Sequence, residues 1–334
     1  MFENRISVIL ASVGSCSDRY VPGGYGSPYR SEELLERVGE IHGLHGVELC
    51  YGSNVTEENL ESVKQQLTKH ELKAVSVIPN IFGTAKWGNG SFTSKDPKIR
   101  RAATEHTKAT MDMIAALGGN LVNVWPGQDG YDYCFQADYI RERKWFVEAI
   151  KECCQYRPDV RIALEYKPKE PRNRSYLSTV STALLAVEQI GEPNCGVTLD
   201  FGHALIAYEN PAESAALLQD SGEKLFHVHI NDNYRLWDDD MITGSVHLIE
   251  YLEFFYWLKR TGYDGWISID QFLYREDGVK GTEESIRWIE ESSRLAEEVD
   301  DSRIALVFET GKAIEALQLL RELIFAGPRK TQNV

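Results

Sequence analysis

The sequence predicts an α/β chain folded as a (β/α)8 barrel with one extra C-terminal helix. Three observations predict it. Short apolar, β-branched runs alternate eight times with amphipathic segments, which is the pattern of strand–helix units on a parallel sheet. No Pro/Gly/Ser-rich stretch divides the 334 residues. No Gly-rich phosphate turn follows the first strand, a feature that the rival doubly wound open sheet would carry.

The first predicted strand, ISVILAS (6–12), leads to a helix over 31–42 that starts at Ser31 and aligns Leu34, Leu35, Val38 and Ile41 on one face. GVELC (46–50) follows, then a helix over 56–70 opening at Thr56. AVSVIPN (74–80) precedes a helix over 97–117 that Asp96-Pro97 should start, and NLVNVW (120–125) precedes one over 136–156. The remaining pairs are RIALEY (161–166) with 175–190, GVTLDF (196–201) with 211–221 behind Asn210-Pro211, LFHVHI (225–230) with 246–261, and WISID (266–270) with 281–299. These make a barrel domain over 1–300. The extension over 301–334 adds one helix, IEALQLLRELI (314–324), whose Leu stripe would cover either a neighbouring subunit or its own barrel.

A formal net charge of −15 repels phosphate backbones and argues against general nucleic-acid binding. No apolar run reaches the ~18 residues of a membrane span, and the start MFENRISVIL lacks a signal-peptide layout, so the expected location is cytoplasmic. The six cysteines form no C-x-x-C pair and read as reduced thiols.

Side chains alternate faces along a strand. In RIALEYK, Ala163, Glu165 and Lys167 therefore share one face, while Ile162, Leu164 and Tyr166 share the other and should pack on helices. The same parity pairs Thr198 with Asp200, groups His227, His229 and Asn231, and pairs Ser268 with Asp270. Glu165, Asp200, His229 and Asp270 then converge at the C-terminal mouth, where barrel enzymes place their chemistry. Three carboxylates and an imidazole so close either shift their pKa values strongly or enclose a cation. Oxygen and nitrogen donors without a thiolate favour a divalent ion such as Mn²⁺, Mg²⁺ or Co²⁺. His203, three residues beyond Asp200, and the D-x-D pair Asp238 and Asp240 after the seventh strand would hold a second ion, sharing a carboxylate with the first. Lys167 stands beside them as a donor for negative charge on a substrate oxygen.

With these residues placed, the chain resembles the xylose isomerase-like TIM barrels, and within them the metal-dependent aldose–ketose isomerases, over about residues 40 to 275. EYKPKEPR (165–172) is similar to the family's strand-five motif, with its metal-binding Glu and catalytic Lys. The stretches NIFGTAKWGNGSFTSKDPKIRRAA (80–103) and VNVWPGQDGYDY (122–133) resemble loops that would place Trp87 and Trp125 as walls of a sugar site. DFGHA (200–204), HVHIND (227–232) and the D-x-D match the remaining ligand positions, and Asp200 with His229 looks closer to the L-rhamnose isomerase type.

The resemblance implies a hydride shift between C1 and C2 of a sugar. Glu165, Asp200, His229 and Asp270 would hold one divalent metal, and His203, Asp238 and Asp240 another. That makes two metals per subunit, Mn²⁺ first among them. Lys167, Asp270 and His203 would act in catalysis, and Trp87, Trp125 and Glu48 would meet the substrate. Relatives are dimers or tetramers, so a homo-oligomer is expected. One departure stands out: Cys50 occupies the place of the ring-opening His, leaving Glu48, on the same face, as a candidate replacement or as a salt-bridged support.

Other readings stay open. A ketose 3-epimerase, or another metal enzyme removing a proton beside a sugar carbonyl, would use one metal and two flanking carboxylates. A barrel nuclease is opposed by the net charge of −15. A non-catalytic sugar-binding barrel is supported only by the missing His. His227 reads as a hydrogen-bonded core residue, and Lys169, Arg172 and Arg174 would either touch substrate, including a phosphate, or balance the acidic mouth.

Overall fold

In the computed structural model, which describes residue 2 and residues 4–325, eight parallel strands close into a barrel in chain order. They are β1 (Ile6–Ile9), β2 (Gly46–Tyr51), β3 (Lys73–Pro79), β4 (Leu121–Val124), β5 (Arg161–Glu165), β6 (Cys195–Asp200), β7 (Leu225–Ile230) and β8 (Ile267–Ile269). β8 closes the ring on β1 through the pairs Ile6↔Ile267, Ser7↔Ser268 and Val8↔Ile269. Each strand lies within one of the eight predicted runs or differs from it by a residue or two at its ends.

Burial on both faces explains the β-branched character of these strands. One parity, including Val47, Leu49, Val197, Leu199, Val228 and Ile230, joins the apolar core beneath the helices. The other parity faces the barrel axis and is largely polar: Ser7, Glu48, Ser76, Asn123, Thr198 and His227 are all fully buried. β2 and β7 are not neighbours in the sheet, so a hydrogen bond of 2.7 Å between Glu48 and His227 must cross the interior. Polar groups so deep persist only when hydrogen-bonded. The interior is a wired layer rather than an oily plug, and it lies directly under the mouth.

The outer helices are α1 (Ser31–Gly39), α2 (Leu60–Lys69), α3 (Pro97–Ala116), α4 (Tyr139–Tyr156), α5 (Val180–Ile190), α6 (Phe201–Ile206), α7 (Pro211–Asp220), α8 (Leu248–Arg260) and α9 (Gly278–Glu297). Asp96 caps α3 through Lys98 N and Asn210 caps α7 through Ala212 N, as the Asx-Pro pairs predict. α2 begins later than predicted, because Thr56 lies in a turn whose N–H is accepted by Asn59, the actual cap residue.

Two elements differ from expectation. Asp200 caps α6 by accepting from His203 N, so the turn that holds His203 is a short helix absent from the predicted elements. Among the described residues beyond 300 there are two helices, not one: α10 (Asp301–Thr310) and α11 (Ala313–Phe325). Asp300 caps the first through Ser302 and Arg303, and Gly311, at φ +61, ends it in the left-handed conformation that glycine adopts freely. Phe308 packs on Trp257 of α8, whereas Ile314, Leu317 and Phe325 remain exposed. Residues 326–334 of the predicted extension lie outside the described residues. No helix among the described residues is long and apolar enough to cross a membrane.

The loops after β4 and β5 are stapled together. Gly130–Tyr131 pairs antiparallel with Arg174–Ser175. Any side chain at Gly130 would strike the Arg174 carbonyl, so only glycine permits this approach. Asp129, buried beside it, accepts from the backbone and hydroxyl groups of Ser91 and Thr93 and anchors the loop after β3.

Candidate active site and metal centre

Glu165, Asp200, His229 and Asp270 come from the C-terminal ends of β5, β6, β7 and β8, and one potential ligand atom from each lies within 4.8 Å of the others. Neighbouring groups aim each of them. Asn123 donates to Glu165 Oε2 at 2.7 Å and is itself held by the Thr198 hydroxyl at 2.7 Å. Asp200 is fixed by His203 N at 2.8 Å and by Asn231 Nδ2 at 3.0 Å. His229 Nδ1 faces Asp270 Oδ2 at 3.3 Å and Glu165 Oε1 at 3.5 Å.

His203, Asp238 and Asp240 adjoin this set. His203 Nδ1 lies 2.9 Å from the Tyr166 carbonyl. With a ring N–H donated there, Nε2, 3.1 Å from Asp238 Oδ2, is left to carry a second proton or to bind a cation. Asp238 also takes Lys167 Nζ at 2.7 Å, and Lys167 reaches Glu170 at 2.9 Å. The D-x-D segment can reach inward because its loop is pinned at the base: Asp232 and Met241 exchange backbone hydrogen bonds of 3.1 and 2.8 Å. Asp232 also accepts from Val246 N and His247 N, at 2.8 and 2.9 Å. Asp239 points away and accepts from Tyr234 N.

The electrostatics record the crowding. Burial raises Asp270, and it raises Asp240 strongly with help from Asp238 and Asp270. Burial likewise pushes Asp200 up to about 6, with Asp238, Asp270 and Glu165 adding to it against His203. Burial opposes ionisation of His203, yet Asp200 and Asp238 outweigh it and lift the imidazole to about 9. Asp238 is held low: burial opposes, but Lys167 and His203 prevail. Carboxyl groups raised by burial and by one another's charge mark a site short of positive charge.

Glu165, Asp200, His229 and Asp270 fit a divalent cation, whereas His203, Asp238 and Asp240 do not gather into a second such group among the described residues. His229 Nδ1, Asp270 Oδ1, Asp238 Oδ1 and Asn231 Oδ1 are buried polar atoms without a hydrogen-bond partner, and three of them belong to expected ligands. Unpaired buried acceptors of this kind are costly unless a cation or water completes them.

The walls come from the other strands. Trp125, beyond β4, stands with Lys167 Nζ 5.5 Å from its ring centroid and Phe82 packed edge-on at 4.7 Å. Trp87 is buried against His106 of α3, with the Lys86 ammonium over its ring, 4.2 Å from the centroid. Burial raises the Cys50 thiol to about 11, so it stays protonated at neutral pH and cannot replace a ring-opening base.

The long loop over 17–30, which no periodicity describes, folds on Asp18, whose carboxylate takes Tyr20 N, Val21 N and Tyr25 OH. Arg275, after β8, covers the Tyr25 ring at 4.9 Å and ties this loop to the mouth.

Glu48 differs from the substrate contact expected of it. It is fully buried below the four ligands, bonded to His227 Nε2 at 2.7 Å, to His229 Nε2 at 3.3 Å and to the Ser76 hydroxyl. A molecule in the mouth cannot reach it. The basic residues past β5 are also engaged internally. Arg172 pairs with Asp132 at 2.9 Å, and Lys169 donates to the Leu236 carbonyl and lies over Trp237. Arg174 is in the exposed ribbon.

Residues 36–292 match the family described as xylose isomerase-like TIM barrel. The xylose isomerase of Thermus thermophilus is 30% identical over 281 residues, 78% of this chain and 72% of that protein. The xylose isomerase of Thermus caldophilus is 31% identical over 255 residues, 72% of this chain and 65% of that protein. Among solved structures, a D-tagatose 3-epimerase-like protein is similar at TM-score 0.69 and 25% identity, over 87% of this chain and 98% of that one. D-psicose 3-epimerase from Clostridium cellulolyticum H10 shares the fold at TM-score 0.64 and 17% identity, over 88% of this chain and 98% of that one.

Proposed function

The chain belongs to the xylose isomerase-like TIM barrel family, and from that premise we propose that it is a divalent-metal-dependent sugar isomerase interconverting an aldose and a ketose. The single observation that carries this reading is the convergence of Glu165, Asp200, His229 and Asp270 with the Lys167–Asp238–His203 cluster beside them. The xylose isomerases similar to this chain point the same way.

Glu165, Asp200, His229 and Asp270 would hold one divalent metal, and His203, Asp238 and Asp240 a second; Mn²⁺ is the first choice and Mg²⁺ or Co²⁺ the next. When bound, such ions orient sugar hydroxyls and polarise the carbonyl oxygen. The chain's own groups do the rest. Lys167, kept charged because Asp238, Asp240 and Glu170 outweigh its burial, donates from Nζ to the substrate oxygen on which negative charge grows. Trp125 closes one wall of the mouth and keeps water from the reacting carbons. A hydride then passes between C2 and C1, while the oxygen on one carbon loses a proton and the oxygen on the other gains one. Trp87, expected at the sugar site, is buried against His106 of α3.

The substrate is an unphosphorylated sugar. The mouth is dominated by carboxylates, and Lys169 and Arg172 are already engaged by the Leu236 carbonyl and Asp132. With Cys50 held protonated, either another group opens the ring or the substrate enters as the open-chain form. A homo-oligomer, dimer or tetramer, is consistent with the exposed apolar residues of α11.

The second reading is a ketose 3-epimerase, favoured by the likeness to the D-tagatose 3-epimerase-like structure. The short reach of Asp270 and the additional D-x-D donors weigh against it. A screen of aldoses and ketoses of four to six carbons with Mn²⁺, Co²⁺ and Mg²⁺ tests the proposal. Retention of substrate hydrogen in the product supports the hydride shift. Solvent deuterium at C3 of an epimerised ketose overturns it in favour of the second reading.

A further inference from the structure

A neutral imidazole has one lone pair, and the nitrogen that carries the proton cannot bind a cation. For His229 the choice decides whether the four-ligand set is complete. Its Nδ1 faces Glu165 and Asp270 in the mouth, at 3.5 and 3.3 Å. Its Nε2 points the other way, into the closed interior, where the acceptors within reach are the two oxygens of Glu48, at 3.2 and 3.3 Å. His229 and Glu48 are both fully buried, so solvent cannot substitute for either partner.

Glu48 is in turn held from two sides. The Ser76 hydroxyl donates to Oε2, and His227 Nε2 lies 2.7 Å from Oε1. Three donors thus converge on a carboxylate that crosses the barrel from β2 to β7. His229 Nε2 makes a hydrogen bond to Glu48, whereas Nδ1 has no hydrogen-bond partner. An ionised carboxylate only accepts hydrogen bonds, so it requires N–H on the imidazole atom facing it.

We propose that Glu48 is a positioning residue: from beneath the mouth it holds the His229 proton on Nε2 and so leaves Nδ1 as the ring nitrogen free to bind a divalent cation. This rests on the metal-centre reading above. The carboxylate also turns the ring into one orientation and raises its basicity as a ligand, and loss of such a partner weakens metal affinity about 10–100-fold in other sites. Glu48 does not touch the substrate or the reacting atoms. The proposal explains why a carboxylate occupies a depth where no ligand or solvent reaches it.

Two measurements test it. In the metal-free full-length protein, long-range ¹H–¹⁵N NMR reads the protonation of each ring nitrogen of His229. Nε2–H with a bare Nδ1 is expected once the ring is neutral, and Nδ1–H overturns the proposal without any variant. Then Mn²⁺ titration by calorimetry, with Co²⁺ absorption in parallel, compares the wild type with Glu48→Gln, which keeps the shape and removes the charge. The expected result is a loss of affinity of about 10–100-fold in the variant, with its turnover recovered at saturating Mn²⁺. Equal affinity within twofold, or lost turnover that saturating metal does not recover, overturns it. If the wild type binds no dication, the metal-centre reading fails, while the NMR result still decides where the His229 proton lies.

Discussion

The two halves of the barrel are made differently. β5 to β8 and their loops carry every expected metal ligand and Lys167, with charged groups packed within hydrogen-bonding range. β1 to β4 send Ser7, Glu48, Ser76 and Asn123 into the interior, and their loops present Phe82, Trp87 and Trp125. One half concentrates charge that repels itself and calls for dications. The other half aims that charge from below and walls it from the side. The difference teaches that the proposed reaction centre would draw on two kinds of strand end: those that gather the charged groups, and those that hold them in one geometry from below and beside.

The largest expected effect follows from stripping the charged half of its counter-ions. Incubation with a chelator followed by desalting should abolish isomerisation, a fall of several kcal/mol in barrier lowering or roughly a thousandfold and more in rate. Mn²⁺ added back should restore it. Full activity in protein that elemental analysis shows to be metal-free would break the division at its root.

Next comes Lys167→Ala. Lys167 Nζ sits 2.7 Å from Asp238 and beside Trp125, on the seam between the halves. Loss of a preorganised donor to developing negative charge costs about 10²–10³-fold in kcat, and KM should move far less. Steady-state kinetics on the best substrate checks this. A large rise in KM with kcat unchanged would place Lys167 among the groups that merely bind.

Trp125→Ala should act more weakly and in a different way. It opens the apolar wall without touching a ligand, so relative kcat/KM between two sugars that differ by one carbon should shift about tenfold. Competition assays on paired substrates measure it. An equal loss for every sugar would mean that the wall serves the reaction and not the choice of substrate.

Much of this division was legible in the sequence. Strand parity alone set Glu165, Asp200, His229 and Asp270 on one side of the mouth, because alternation is a local property of an extended chain. The structure adds what parity cannot carry. Glu48 meets His229 across the barrel, and the partners of an inward side chain depend on closure and stagger of the sheet, which no single strand encodes. Asn123 carries no signal of its own in the sequence for the same reason, although it aims Glu165. The extra helix α10 did leave a signal, with Asp300 as its cap and Gly311 at its end. The loop over 17–30 left a weaker one in Asp18, followed closely by the backbone N–H groups it accepts.

The smallest expected effect is the most discriminating for substrate class. Lys169 lies on the loop after β5, half-buried, donating to the Leu236 carbonyl and resting on Trp237. If the mouth receives a neutral sugar, Lys169→Gln removes only a tether between two loops of the charged half. Less than about a twofold change in kcat/KM is then expected, since surface substitutions away from special features stay within roughly 0.5 kcal/mol. If the substrate bore a phosphate, this ammonium would be a cation free to swing toward it. A charge-assisted hydrogen bond of that kind is worth roughly 1.5–3 kcal/mol, so the same substitution would then cost about ten- to a hundredfold, in KM above all. Measuring KM for a sugar and its phosphate ester on both proteins separates the cases. A selective loss on the ester would move specificity into the half that the present division reserves for chemistry.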